Sequence, residues 1–162
     1  MPTAQPFITG EFTRTLDDRF RLSIPAEVGD QLTIDSPECM LTKERVGCLG
    51  LWNADVWREK LDTDVNLVKT KIQAGKFSDD ELGRVQMLAR LLSTRDRQVN
   101  LAGRGRLSIP EGFREFLGVE PGGEVMIVGA GVSIEIWNPT AWLKYVEGRM
   151  PKFRKLLDYL SG

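Results

Sequence analysis

The chain is built twice from one unit. Residues 16–57 align without a gap on residues 101–142, an offset of 85, and the identities fall at the positions that organise each unit. Leu16, Arg19 and Arg21 match Leu101, Arg104 and Arg106. Leu22-Ser23-Ile24-Pro25 matches Leu107-Ser108-Ile109-Pro110, and Trp52, Asn53 and Trp57 match Trp137, Asn138 and Trp142. A repeat of this kind constrains architecture more than composition does, because overlooking it misreads the whole fold.

Each copy has the same local order. Gly10 to Leu16 and Arg97 to Leu101 predict a first strand, followed by a tight polar turn and a short strand through Leu22 and Ile24, or Leu107 and Ile109. Proline next opens a short helix, its fixed φ suiting the first helical position. In the second copy Phe113, Phe116 and Leu117 stand at helical spacing, and Gly118 supplies a C′ stop. Hairpins follow. Met40-Leu41 and Cys48 to Trp52 flank Glu44 to Gly47; Val125 to Val128 and Val132 to Trp137 flank Gly129 to Gly131. Asn53 and Asn138 are N-caps, with Pro139 at N1. Trp52 and Trp137 then occupy N′, and Trp57 and Trp142 occupy N4, the spacing of a hydrophobic staple. Stacking on nucleic-acid bases is the competing use of such tryptophans.

Between the copies the pattern predicts two helices. One runs from about Ala54 to Ala74 and stops at Gly75. The other starts at a Ser78/Glu81 capping box and carries Leu82, Val85, Leu88, Leu91 and Leu92. The segment from Arg149 onward is amphipathic, with Phe153, Leu156, Leu157 and Leu160 on one face, and is expected to dock on the body or on a neighbouring molecule. The expected organisation is a first module at 8–61, a helical connector at 62–94, a second module at 95–147 and an amphipathic tail at 148–162.

Several function classes have little support. Histidine is absent, which removes the commonest general base. No P-loop or complete dinucleotide-binding glycine motif occurs, so no enzyme, cofactor or small-molecule substrate is expected. Two cysteines, Cys39 and Cys48, are too few for a zinc cluster and fit as packing residues, so no metal is expected. No apolar run reaches the roughly 18 residues of a membrane helix. Met1 to Pro6 lacks the basic start and apolar stretch of a signal peptide, so the protein is expected in the cytoplasm.

The turn segments resemble the MraZ family, whose usual signature is D-x-K-G-R followed by a short apolar strand and proline. Asp17-Asp18-Arg19-Phe20-Arg21-Leu22-Ser23-Ile24-Pro25 is similar to one copy, and Ala102-Gly103-Arg104-Gly105-Arg106-Leu107-Ser108-Ile109-Pro110 to the other. The resemblance covers about residues 8 to 147. It implies an α+β, β-rich fold in which two pseudo-symmetric AbrB-like, swapped-hairpin modules form one compact domain. It also implies a homo-oligomeric ring, association with the nucleoid, and binding to repeated DNA boxes upstream of the division and cell-wall operon. The motif arginine carries over to Arg21 and Arg106, and the preceding basic residue to Arg19 and Arg104. Two departures stand out. The first copy keeps Asp17 but has Phe20 where glycine is usual, which implies a different turn; the second keeps Gly105 but has Ala102 where the acid is usual.

Net charge is −1, so any attraction to phosphate must be local. Residues 95–106 hold Arg95, Arg97, Arg104 and Arg106 against one acid, Asp96; residues 13–24 hold Arg14, Arg19 and Arg21 against Asp17 and Asp18. Arginine forks suit phosphate oxygens and the guanine edge. Arg14, Arg19, Arg21, Arg97, Arg104 and Arg106 are therefore the candidate DNA-binding residues, with Asp17 and Gly105 supporting the motif. Two other readings compete: an oligomeric scaffold with weakened DNA binding, and an antitoxin-like regulator of the AbrB type.

Overall fold

The computed structural model describes residues 6–162; Met1 to Gln5, part of the segment expected to lack a signal peptide, lie outside the described residues. The elements are β1 (Glu11–Thr15), β2 (Arg21–Ser23), α1 (Ala26–Leu32), β3 (Glu38–Arg45), β4 (Cys48–Asn53), α2 (Ala54–Gln73), α3 (Asp79–Arg95), β5 (Asp96–Asn100), β6 (Arg106–Ser108), α4 (Arg114–Leu117), β7 (Glu124–Gly129), β8 (Ile134–Trp137), α5 (Pro139–Arg149) and α6 (Phe153–Ser161). Six strands form one antiparallel sheet in the order β1-β7-β8-β4-β3-β5. Exchanging the copies maps that order onto itself reversed. Each hairpin, β3–β4 or β7–β8, is completed by the first strand of the other copy: β1 lies on β7 and β5 lies on β3. Strands β2 and β6 pair with each other in a separate two-stranded ribbon. The fold is α+β, with two pseudo-symmetric swapped units sharing one core.

Period-two alternation separates the two faces of the sheet. Leu41, Leu49, Leu51, Val125, Ile127 and Ile136 point to one side, where Leu22 and Ile24 after the first turn and Leu107 and Ile109 after the second close the core. Cys39 and Cys48 are both buried free thiols; burial pushes the Cys39 thiol up to about 11 and the Cys48 thiol higher still. The opposite side carries the tryptophans. Asn53 Oδ1 accepts from the amides of Asp55 and Val56, and Asn138 Oδ1 from those of Thr140 and Ala141. With the caps so fixed, Trp52 meets Trp57 at 5.3 Å between ring centroids and Trp137 meets Trp142 at 5.2 Å. Both staples form as the spacing requires.

Several local expectations are corrected. Strand β3 continues through Glu44 to Arg45, so the first hairpin turns at Val46-Gly47 alone. Glu44 stays in the strand because it is wanted there: its Oε1 accepts from Thr42 Oγ1 and Trp52 Nε1, and its Oε2 lies 3.4 Å from Arg95 Nη2. The second hairpin turn extends to Ser133, since Ala130 N donates to Ser133 O, and Val132 is left exposed. Pro25 is the N-cap of α1 rather than its first residue. After Pro110 only a single turn, α4, is helical before Gly118 takes φ +73°. Ser78 caps α3 through the Glu81 amide at 3.4 Å, the one half of the expected box that forms.

Helices α2 and α3 stand off the sheet: only Ala54 and Trp57 of α2 are buried, and no residue of α3 is. The amphipathic tail does not dock on the body. No residue of α6 is buried, and Phe153, Leu156, Leu157 and Leu160 are exposed.

Candidate nucleic-acid interface

The ribbon is the outermost layer above the core. Its register sets Arg21 opposite Ser108, Leu22 opposite Leu107 and Ser23 opposite Arg106. The two leucines point inward and are buried, so the two arginines and two serines share the outer face. The turn 17–20 enters the ribbon at the Arg21 end and the turn 102–105 at the Arg106 end, which brings Arg19 and Arg104 to its opposite tips. Two hydrogen bonds related by the pseudo-symmetry lock each turn to the other copy: Ile24 N donates to Gly105 O, and Ile109 N to Phe20 O, both at 2.8 Å.

Arg14 and Arg97 lie further out. They occupy β1 and β5, the two edges of the sheet, opposite the buried Val125 and Leu41. Directly paired residues share a face, so both belong to the ribbon side of the sheet. Arg14 Nη1 donates to Thr13 O at 2.8 Å, and Arg97 is exposed. All six arginines therefore flank or cap one layer.

The two turns agree at the glycine position and differ one residue earlier, where Arg104 takes φ +64° and Arg19 has no positive φ. Phe20 takes φ +57° and Gly105 φ +70°, so phenylalanine occupies the left-handed conformation that glycine ordinarily serves. Asp17 N donates to Arg21 O, and Ala102 N to Arg106 O, each at 2.9 Å. The bulky residue at positive φ is held by its neighbours: it packs against the core, and the Arg114 guanidinium lies 4.3 Å over its ring while Arg114 Nε donates to Ile109 O. Sequence reasoning missed Arg114, because its counterpart at the 85-residue offset is Gly29 and no motif marks it.

Asp17 is saturated. Its Oδ1 accepts from the amides of Arg19 and Arg21 at 2.8 and 2.9 Å, and its Oδ2 from Arg21 Nε at 2.9 Å. The Arg21 amide, then the Arg19 amide and the Arg21 side chain, hold the Asp17 carboxyl below its ordinary value, against some desolvation. A depressed folded-state pKa means that this carboxylate favours the folded turn above the ordinary aspartate range and ceases to do so as pH falls through the lowered value. The expected result is an Asp17 carboxyl carbon whose NMR titration midpoint lies below that of a model aspartate, with the Arg21 Nε–H signal losing its exchange protection over the same acid range. A midpoint at the ordinary value would show that the pair does not persist in solution. In the second turn Ala102 offers no such acceptor, and Arg106 N turns to Ala102 O at 3.3 Å.

Two swapped hairpin units sharing one core, with an arginine-bearing ribbon outermost, define a tandem AbrB-like protein. A family model described as "MraZ protein, putative antitoxin-like" matches residues 92–157. The protein named transcriptional regulator MraZ from a strain of Thermus thermophilus is 31% identical over 143 residues, covering 88% of this chain and 90% of the relative. Its namesake from Treponema denticola is 29% identical over 154 residues (95% and 97%), and that from a Nocardioides strain 29% over 147 (91% and 91%). The chain belongs to the MraZ family. Among the described residues no helix is long and apolar enough to cross a membrane, and no group of three or more His, Cys, Asp or Glu is placed to hold a metal.

Proposed function

We propose that this chain is a sequence-specific DNA-binding transcriptional regulator that works in the cytoplasm on the nucleoid. Its targets are repeated boxes upstream of the division and cell-wall operon, and it binds them as a homo-oligomeric ring. The carrying observation is the ribbon, whose outer face bears Arg21 and Arg106, with Arg19 and Arg104 in the turns at its ends. A two-stranded ribbon fits the major groove, where an arginine fork can read guanine O6 and N7. Arg14 and Arg97 at the sheet edges are assigned to phosphate, and Asp17 and Gly105 to shaping the turns. The relatives' name, transcriptional regulator, supports the same reading.

Because net charge is −1, one protomer is a weak polyelectrolyte partner, and a ring would convert modest contacts into avidity. Replacing Arg21 or Arg106 with alanine is expected to weaken binding to the protein's own upstream region by about 1–3 kcal/mol while the fold is retained. Only Arg106→Ala, at an exposed position, should leave the melting temperature unchanged, since Arg21→Ala also gives up the Asp17 pair. The experiment combines light scattering with titrations over a salt series on duplexes bearing one, two and three boxes. A mass of several protomers, affinity rising with box number and affinity falling with salt support the proposal. A monomer whose DNA affinity ignores both would favour the scaffold reading instead.

A further inference from the structure

The two turns occupy equivalent places and differ in mechanics. In the first, Asp17 grips Arg21 at both amide and Nε, and the Phe20–Arg114 stack braces the loop from the far side. In the second, alanine replaces the acid, and glycines stand at both stack positions: Gly105 for Phe20 and Gly29 for Arg114. A cleft lies beside each turn; its wall holds Phe20 and Arg114 at the first, and Gly105 and Gly29 at the same places in the second. Arg104 and Arg106 are exposed, and among the described residues neither side chain makes a hydrogen bond or ion pair. Arg104 also sits at φ +64°, a left-handed conformation with no counterpart at Arg19.

We propose that the two halves divide the work on DNA: the first turn reads a base edge through Arg21, with Asp17 as its positioning residue, and the second turn grips phosphate through Arg104 and Arg106. This rests on the DNA-binding reading above. With Nε engaged by Asp17, the Arg21 guanidinium keeps its two terminal NH2 groups for a bidentate contact, and its direction is set before DNA arrives. A pre-aimed fork loses less conformational freedom on binding and accepts only a partner at the right place, which is the requirement for reading guanine. An untethered arginine can follow phosphate whatever the sequence. The charges divide the same way, since two aspartates dilute the first turn and a single acid dilutes the second segment.

The test selects duplexes from a pool with a randomised centre, using the full-length wild type, Asp17→Asn, Arg21→Ala, Arg106→Ala and Ala102→Asp, each checked by thermal melting. Salt titrations on the enriched duplex follow. Asp17→Asn keeps an oxygen for the backbone amides but turns an amide group toward Arg21 Nε. It is expected to lower guanine discrimination at the position lost in Arg21→Ala, about ten-fold. Arg106→Ala should weaken every duplex alike and reduce the salt slope by about 0.9, the selected motif unchanged. Ala102→Asp should add a guanine preference that the wild type lacks, and it decides the matter if Asp17→Asn melts early. A motif altered as much by Arg106→Ala as by Arg21→Ala overturns the division, as does a folded Ala102→Asp variant with the wild-type motif. With a motif enriched by the wild type, either of those outcomes sinks the division alone; a wild type that enriches no motif, or binds no duplex, removes the sequence-specific DNA reading itself.

Discussion

Alanine at Gly105 is expected to lower stability by roughly 3–5 kcal/mol, combining positive-φ strain with overpacking against a fixed backbone. A Cβ at this position would stand 2.5 Å from Ile24 O, with the Ile24 carbonyl carbon and amide nitrogen at 3.4 and 3.5 Å. None of these atoms can swing away. Ile24 is buried, and its own amide donates to Gly105 O, so the same residue pair that would clash is hydrogen-bonded in place. At φ +70° any side chain is also strained. For a domain of this length the loss corresponds to roughly 10 °C in melting temperature. Gly103→Ala is the control, because a Cβ there meets nothing within 4 Å and its φ is not positive. Equal melting of the two variants would show that the ribbon is not seated as described.

Trp137→Ala is expected to cost about 3–5 kcal/mol, read from the denaturant midpoint. The side chain is 1% exposed, meets Trp142 and Tyr145 at 5.2 and 4.9 Å between ring centroids, and donates from Nε1 to Glu135 Oε1 at 3.0 Å. Burial already holds the Glu135 carboxyl above the usual carboxylate range, with the Trp137 N–H pulling it back and the Glu44 charge adding to the rise. Removing the indole takes away the Nε1–H donor that favours the charged Glu135 carboxylate, so the variant should lose more stability at neutral than at mildly acid pH. A raised carboxyl pKa favours the folded state when protonated, and that contribution is lost as pH rises through it. Trp137→Phe, which keeps a ring but no donor, should fall between. A Trp137→Ala protein of wild-type stability that no longer binds DNA would move this tryptophan from the staple to the interface.

What the sequence made legible follows from how locally each feature is determined. Caps and staples are set within five residues, so Asn53, Asn138 and the four tryptophans could be placed from spacing alone. The repeat disclosed the pseudo-symmetry, and Ala102 announced the missing acid. Features set by distant partners were not legible. Glu44 reads as a turn residue until Trp52, Thr42 and Arg95 are seen to converge on it. Phe20 reads as incompatible with a left-handed turn until Arg114, far along the chain, is found over its ring. The amphipathic face of α6 was plain in the sequence, but that the body offers it no seat depends on the whole surface.

The exchange of first strands between the copies has a consequence for synthesis. Thr13 on β1 reaches Met126 on β7, 113 residues later in the chain. While the polypeptide leaves the ribosome, β1 and β2 therefore have no partners, and the β3–β4 hairpin has bare edges on both sides until β5 and then β8 emerge. The nascent first copy cannot settle into its final form alone, and the transition is expected to be slow and cooperative because loop closure precedes most of the reward. During that interval a more advanced chain on the same message offers the β5 and β7 that a shorter one still lacks, so intermolecular pairing competes with the correct one. The long polar helices α2 and α3, emerging between the copies, lengthen the interval in which that competition is decided.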